Sequence, residues 1–280
     1  MDVVALHGFL AEAGRSWGSV TVVDAAAVGA RHALNVCRAR PAVAVSGADP
    51  AELAAGLAGW RRTLVVSDDT GLSTVDPADA VVRRWASPRF ALCVADGTWA
   101  PSAGGWALPD DDFAHRDRMV ATAEVRALAL ARLAPRPGVL VWDVGAGPGA
   151  IGVECARLGA AVVAVEQDPV QCVRIIANAS AHGVDVRVVE SPLGDATDLP
   201  RPDAVFVGGG GADAVRRCAR SGAGRVVVAT TDLEDVVPAR DALLDAGYEV
   251  AGSQLSAARL TGGTLLAVDP VTVLWGTRKS

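Results

Sequence analysis

Three kinds of residue between positions 139 and 169 have types and spacing that could do chemistry. They are Asp143, the glycines of Asp143-Val144-Gly145-Ala146-Gly147-Pro148-Gly149, and Glu166 with Gln167 beside it. Glycines let a backbone turn tightly and let a ligand approach with no Cβ in the way. A helix start behind such a loop offers free N–H groups and a partial positive charge. An acid about 20 residues further on, at the end of the next strand, suits ribose hydroxyls. The dinucleotide fingerprint is GxGxxG, whereas the order here is GxGxG preceded by a carboxylate. Pro148 also removes one N–H from the set that would cradle a pyrophosphate. No Gly-Lys-Ser/Thr follows, which excludes a P-loop. Asp143 suits a ligand carrying an ammonium group. S-Adenosylmethionine has both an amino-acid ammonium and a ribose diol, and is favoured over NAD; a plain glycine-rich turn is the alternative with no ligand. Gly145, Ala146, Gly147 and Gly149 are the expected loop contacts.

The elements that must position these residues can be read from periodicity. An apolar run at 139–143 reads as a strand, and 149–158 as the helix behind the loop. Further strands are expected at 161–166, 184–190, 203–207 and 225–230, with helices at 170–182, near 212–219 and about 233–246. Gly183 is well placed to end the helix before it. The stretch AEVRALALARLA, preceded by Thr122, has helical spacing and stops before Pro135. Alternating strand and helix implies a parallel sheet covered on both faces. Two last strands, near 249–257 and 264–275, have only a short loop between them and should pair as an antiparallel hairpin. The expected class is therefore α/β, a Rossmann-like sheet of the class I S-adenosylmethionine-dependent methyltransferase type. Before it, residues 1–108 carry short Val-rich runs at 20–23, 43–45, 64–66 and 91–94, and read as a small α/β segment. The Pro-, Gly-, Ser- and Asp-rich stretch DGTWAPSAGGWALPDDD separates the two, giving domains 1–108 and 109–280.

The chain has 280 residues, a formal charge of −6 and 51% apolar residues, a globular composition. Its arginines are dispersed rather than clustered, so no nucleic-acid partner is expected. No apolar run reaches the length of a membrane span and no signal peptide stands at the N-terminus, so no membrane partner is expected and a cytoplasmic location is. The five cysteines have no CxxC spacing, which argues against a disulfide framework and a zinc site; no metal is expected.

The run DDDFAHRDRMVATAEVRALALARLAPRPGVLVWDVGAGPGAIGVE, followed by PDAVFVGGGG at 202–211, resembles the decarboxylating precorrin-6Y C5,C15-methyltransferases of corrin biosynthesis. More narrowly it resembles their C15-methylating, C12-decarboxylating module. The resemblance runs from about residue 110 to the C-terminus, with the Asp-Asp-x-Phe, EVRAL, DVGAGPG and PDAVFVGGGG elements in the family's order. A threonine contact near the start of the first helix falls one step late, at Thr122. Where the family commonly has Gly-Asp or Gly-Ser near the adenine, this chain has Glu190 and Ser191. In fused members an N-terminal module methylates C5; residues 1–108 lack its glycine-rich opening and read as a shortened or degenerate remnant, inactive at C5, with an unrelated α/β cap as the alternative.

The resemblance implies methylation of C15 of a precorrin-6B-type tetrapyrrole with decarboxylation of the C12 acetate. Such chemistry asks mainly for in-line positioning of two partners and for a grip on many carboxylates. Arginine is the natural grip because it binds carboxylates bidentately. Arg118, Arg126 and Arg259 are candidates, with Arg259 in an Ala-Arg element similar to the family's. His115 and Asp111 precede the first helix and are candidates for proton transfer; His115 and Arg259 are the expected catalytic pair. Gly208, Gly209 and Gly210 would let a flat substrate approach the backbone. The carboxylate-rich tetrapyrrole is the expected partner, and a homo-oligomer is left open. Two other readings stand: an NAD-dependent Rossmann oxidoreductase, and a non-catalytic protein that keeps the methyltransferase fold.

Overall fold

The computed structural model describes residues 1–97, 99, 105–115 and 120–278. It divides into two compact units, Met1–Trp99 and Ala100–Ser280. The division falls before residue 108 for a local reason. Ala107 and Leu108 already donate their N–H groups to Glu154 of the second unit, Leu108 at 3.2 Å.

The first unit holds α1 (Val3–Glu12), β1 (Thr21–Asp24), α2 (Ala25–Val28), α3 (Ala30–Ala39), β2 (Ala42–Ser46), α4 (Pro50–Gly56), β3 (Arg62–Asp68), β4 (Gly71–Val75), α5 (Pro77–Val82) and β5 (Phe90–Ala95). Its sheet has the order β1-β2-β5-β3-β4, and only β1 and β2 run parallel. One core gathers Val36, Leu53, Leu57 and Leu64, while Leu6, Phe9 and Leu10 of α1 pack with Phe90 and Leu92 in a second. The β4 strand carries no Val-rich signal. It forms because Asp68 ends β3 by accepting from the Thr70 N–H at 2.8 Å and so fixes the turn.

The second unit holds α6 (Ala123–Leu133), β6 (Leu140–Val144), α7 (Ala150–Arg157), β7 (Ala161–Glu166), α8 (Pro169–Ala181), β8 (Arg187–Glu190), β9 (Ala204–Val207), α9 (Gly211–Ala219), β10 (Arg225–Thr230), α10 (Leu233–Asp245), β11 (Glu249–Thr261) and β12 (Thr264–Thr277). The sheet order is β11-β12-β10-β9-β6-β7-β8, parallel from β10 through β8. β12 and β11 add an antiparallel edge. Every residue of β6 and β7 is buried, as their mostly apolar runs require in a sheet covered on both faces; Asp143 and Glu166 are their only polar residues. Asp168 and Asp232 cap α8 and α10 through the N–H groups of Val170 and Glu234 at 2.9 Å each.

Chain order runs outward from β6 through β7 to β8, then returns to β9 on the other side of β6. The carboxyl ends of β6 and β9 therefore flank a topological switch point, the usual crevice for ligands in an open α/β sheet. Two elements differ from the sequence reading. β8 starts at Arg187 because its ladder with β7 begins at Val163. The hairpin is longer, with a register shift between Leu255 and Ala257 that lets β11 continue to Thr261 before turning at Gly262 and Gly263. Among the described residues no helix is long and apolar enough to cross a membrane.

Candidate active site

Two glycine segments meet at the switch point. Gly145 has φ +63°, and a Cβ there would stand 2.7 Å from the Gly209 backbone nitrogen. The loop after β6 and the loop after β9 are thus in backbone contact, and only glycine at 145 permits it. Gly208 donates its N–H to the Val144 carbonyl at 2.9 Å, which ties the second loop to the first strand. Gly149, with φ +80°, caps α7, and a Cβ on it would press to 3.0 Å on Ile175 of α8. Its role is to let α7 and α8 approach.

Glu166, at the end of β7, is 9% exposed. Its Oε2 accepts from the Gly147 N–H at 2.8 Å, and its Oε1 from Gln167 and Asp168 at 2.8 and 3.0 Å. One carboxylate thus joins the tip of the glycine loop to the turn that starts α8. Asp143 is more deeply buried, and its Oδ2 accepts from the Gly152 N–H at 2.8 Å while Oδ1 has no partner. Burial, with a smaller push from the Glu166 charge and against the Gly152 bond, raises its carboxyl to about 7.

A cavity of about 870 Å³ opens over these loops. Thr122, Gly145, Ala146, Gly147, Glu166, Gln167, Ser191, Gly208, Gly209 and Gly210 all stand on its wall. Four expected contacts do not. Asp143 sits beneath the loop and braces the start of α7, and Gly149 serves helix packing. His115 and Arg259 are absent from the wall, and Arg118 lies outside the described residues. Gln171, Asp213, Arg217 and Asp235 are wall residues the sequence reading missed. Arg217 is the one cation among the described wall residues; α9 carries Arg216 and Arg217 side by side, and nothing in their spacing told which would face inward.

A family model described as precorrin methyltransferase domain matches residues 111–275. A precorrin-6Y C(5,15)-methyltransferase (decarboxylating) from Sinorhizobium is 37% identical over 195 residues, 66% of this chain and 45% of that protein. A probable cobalt-precorrin-6B C(15)-methyltransferase (decarboxylating) from Pyrobaculum aerophilum is 35% identical over 184 residues, 60% of this chain and 93% of that one. The crystal structure of a precorrin-6Y C5,15-methyltransferase from Geobacter metallireducens superposes with a TM-score of 0.56 at 28% identity, covering 62% of this chain and 97% of that one. The chain belongs to the precorrin methyltransferase domain family. It spans less than half the length of the Sinorhizobium relative, and the family-model match lies in the second unit. The fold is that of Rossmann-like methyltransferases, shared with an S-adenosylmethionine-dependent O-methyltransferase from Thermotoga maritima at 14% identity and a TM-score of 0.50.

In this precorrin methyltransferase domain the expected carboxylate grips Arg126 and Arg259 have other work. Arg126 is wholly buried; its Nε donates to Glu154 Oε1 at 2.6 Å and its Nη1 to Asp110 Oδ1 at 2.9 Å, with further bonds to the Ala121 and Leu108 carbonyls. Its guanidinium stands 4.8 Å from the centroid of the Phe113 ring. Arg259, reaching from β11, holds Asp110 at 2.5 Å and Glu124 at 3.3 Å. Burial pushes Asp110 up, but Arg259 and Arg126 together outweigh it and hold it below the usual carboxylate range. These pairs fasten the segment before α6 to α7 and the hairpin, and so set where Thr122 meets the cavity. His115 has a buried Nδ1 with no partner and no access to the wall, so it is not placed for proton transfer there.

Two outcomes are expected. Removing one partner of a buried ion pair leaves the other charge stranded, so Arg126→Met should destabilise the fold by about 3–5 kcal/mol in urea unfolding. Unchanged stability would contradict the bracing role. For Asp143 the folded value lies above the ordinary 3.8. Its neutral form therefore stabilises the fold fully at low pH, and that contribution is lost as pH rises from about 4 through about 7, by up to about 4 kcal/mol. Asp143→Asn should then melt higher than the parent at pH 8 with the gap closing toward pH 5; parallel melting curves would contradict it.

Proposed function

We propose that this chain is an S-adenosylmethionine-dependent methyltransferase that methylates C15 of a precorrin-6B-type tetrapyrrole and releases the C12 acetate carboxyl as carbon dioxide. The observation that carries the reading is the contact of two glycine segments at the switch point, with Glu166 clasping the first of them. The names of the Sinorhizobium and Pyrobaculum relatives support the same chemistry. Neither the dinucleotide reading nor the non-catalytic one draws support from the family match. The wall fits the cofactor: glycine backbone that a Cβ would fill, a carboxylate in reach of a ribose, and apolar lining from Ile151 and Phe206.

When bound, S-adenosylmethionine supplies an electrophilic methyl group on sulfonium sulfur. The chain's part is to hold that methyl in line with a carbon already made nucleophilic by its ring nitrogen. Gly145, Gly147 and Glu166 hold the nucleoside end, while Gly208, Gly209 and Gly210 leave room for a flat macrocycle against the backbone. The net charge of −6 gives a polyanion no overall steering, so local cations must hold it. Arg217 is the described cation on the wall for that purpose, and Arg118, outside the described residues, is a second candidate from the sequence. The carbon that loses carbon dioxide must be protonated; Asp213 and Asp235 are wall acids available for that step. Residues 1–108 have no described glycine-rich strand end with an acidic partner, and we read them as a remnant that does not methylate C5.

Calorimetric titration with S-adenosylhomocysteine should give one site per chain, and Glu166→Ala should weaken binding by roughly tenfold or more. Two sites, or unchanged affinity, would contradict these assignments. Incubation with a precorrin-6B-type tetrapyrrole and methyl-labelled cofactor should add one labelled methyl and release carbon dioxide. Methyl transfer without that release would remove the decarboxylating half.

A further inference from the structure

The Glu166 carboxylate is nearly full before any ligand arrives. An ionised carboxylate offers about four lone-pair sites. Gln167 and Asp168 occupy both sites of Oε1, and Gly147 occupies one of Oε2. One acceptor site is left for a ribose diol, which brings two O–H donors. The second donor needs another acceptor.

Gln171 lines the same cavity as Glu166. On α8, residues 171, 175 and 178 share one face, by their i, i+4, i+7 spacing. Ile175 on this face lies 3.0 Å from where a Gly149 Cβ would be, and Asn178 Nδ2 donates to the Pro148 carbonyl at 2.8 Å. The face is therefore turned to the glycine loop. Gln171 lies one turn nearer the cavity, on its wall, and is 5% exposed. Its Oε1 is buried and accepts no hydrogen bond. A buried amide oxygen without a donor costs about 1–3 kcal/mol, so a well-packed interior keeps one only for a reason.

We propose that Gln171 is a ligand-binding residue: its side-chain carbonyl accepts from one ribose hydroxyl of the cofactor while Glu166 Oε2 accepts from the other. The inference rests on the S-adenosylmethionine reading above. Methionine matches glutamine in length but offers no strong acceptor. Gln171→Met therefore relieves the unsatisfied oxygen and should melt no lower than the parent without ligand.

The test is calorimetry of the full-length parent and Gln171→Met with S-adenosylhomocysteine and with its analogues lacking the 2′- or the 3′-hydroxyl. The substitution should weaken S-adenosylhomocysteine binding roughly tenfold. It should have little effect on the affinity for one of the two deoxy analogues, the one that lacks the hydroxyl Gln171 serves. Equal affinity of parent and variant for S-adenosylhomocysteine would overturn the proposal. So would an equal loss for all three ligands, which would mark a merely structural role. If Gln171→Met does not fold, the parent alone decides: removing either hydroxyl should cost affinity, because each has its own acceptor, and loss from only one overturns the pairing. A parent that binds none of the three overturns the cofactor reading itself, an outcome distinct from the others.

Discussion

Three backbone N–H groups converge on the Glu166 carboxylate, from Gly147 on one oxygen and from Gln167 and Asp168 on the other. Much of the second unit's geometry follows from this convergence. The bond to Gly147 holds the tip of the glycine loop against the end of β7, and the bonds to Gln167 and Asp168 shape the turn into α8. Hydrogen bonds to an ionised acceptor are stronger than neutral ones, by roughly a factor of two. Asp143, one strand away, accepts one hydrogen bond, from the Gly152 N–H, and stays buried, and its carboxyl is pushed up to about 7. Two acids at neighbouring strand ends thus take different roles because their environments differ: one is solvated by backbone and faces the cavity, the other is a brace under it.

The cavity floor depends on a second constraint, the approach of Gly145 to Gly209. A Cβ at 145 would force the loops after β6 and β9 apart, whereas one at 209 would make only ordinary contact. The third wall comes from the start of α6. It is set by Arg126, whose guanidinium gathers Glu154, Asp110 and two carbonyls in a wholly buried position. Arg259 adds the hairpin to the same network through Asp110. Charges that sequence alone would assign to a substrate are thus spent on holding the frame.

The parallel sheet and its closing antiparallel hairpin were legible in the sequence, because β6 and β7 read as mostly apolar runs and strands alternate with helices that have capping residues such as Asp168; the order of the strands was not. The glycine loop and Glu166 were legible for the same reason: their spacing is fixed by one strand–helix–strand unit. What could not be read was the direction of side chains that depend on tertiary packing. Asp143 looked like a ligand contact, yet its place under the loop depends on how α7 packs against β6. Arg259 and Arg126 looked like substrate grips, and their partners Asp110, Glu124 and Glu154 are distant in sequence. Gln171 gave no signal at all, since an uncharged residue in the first turn of a helix is ordinary. The hairpin's length was missed because a bulge at residues 255–257 breaks the alternation that marks a strand.

The most direct measurement is a crystal structure of the full chain with S-adenosylhomocysteine. The expected result is the ribose held between Glu166 Oε2 and Gln171, with the nucleoside over Gly145 and Gly147 and the sulfur turned toward Gly208, Gly209 and Gly210. A ligand bound away from the β6 and β9 loops, or with its ribose remote from Glu166, would contradict the assignment of this cavity as the methyl-transfer site.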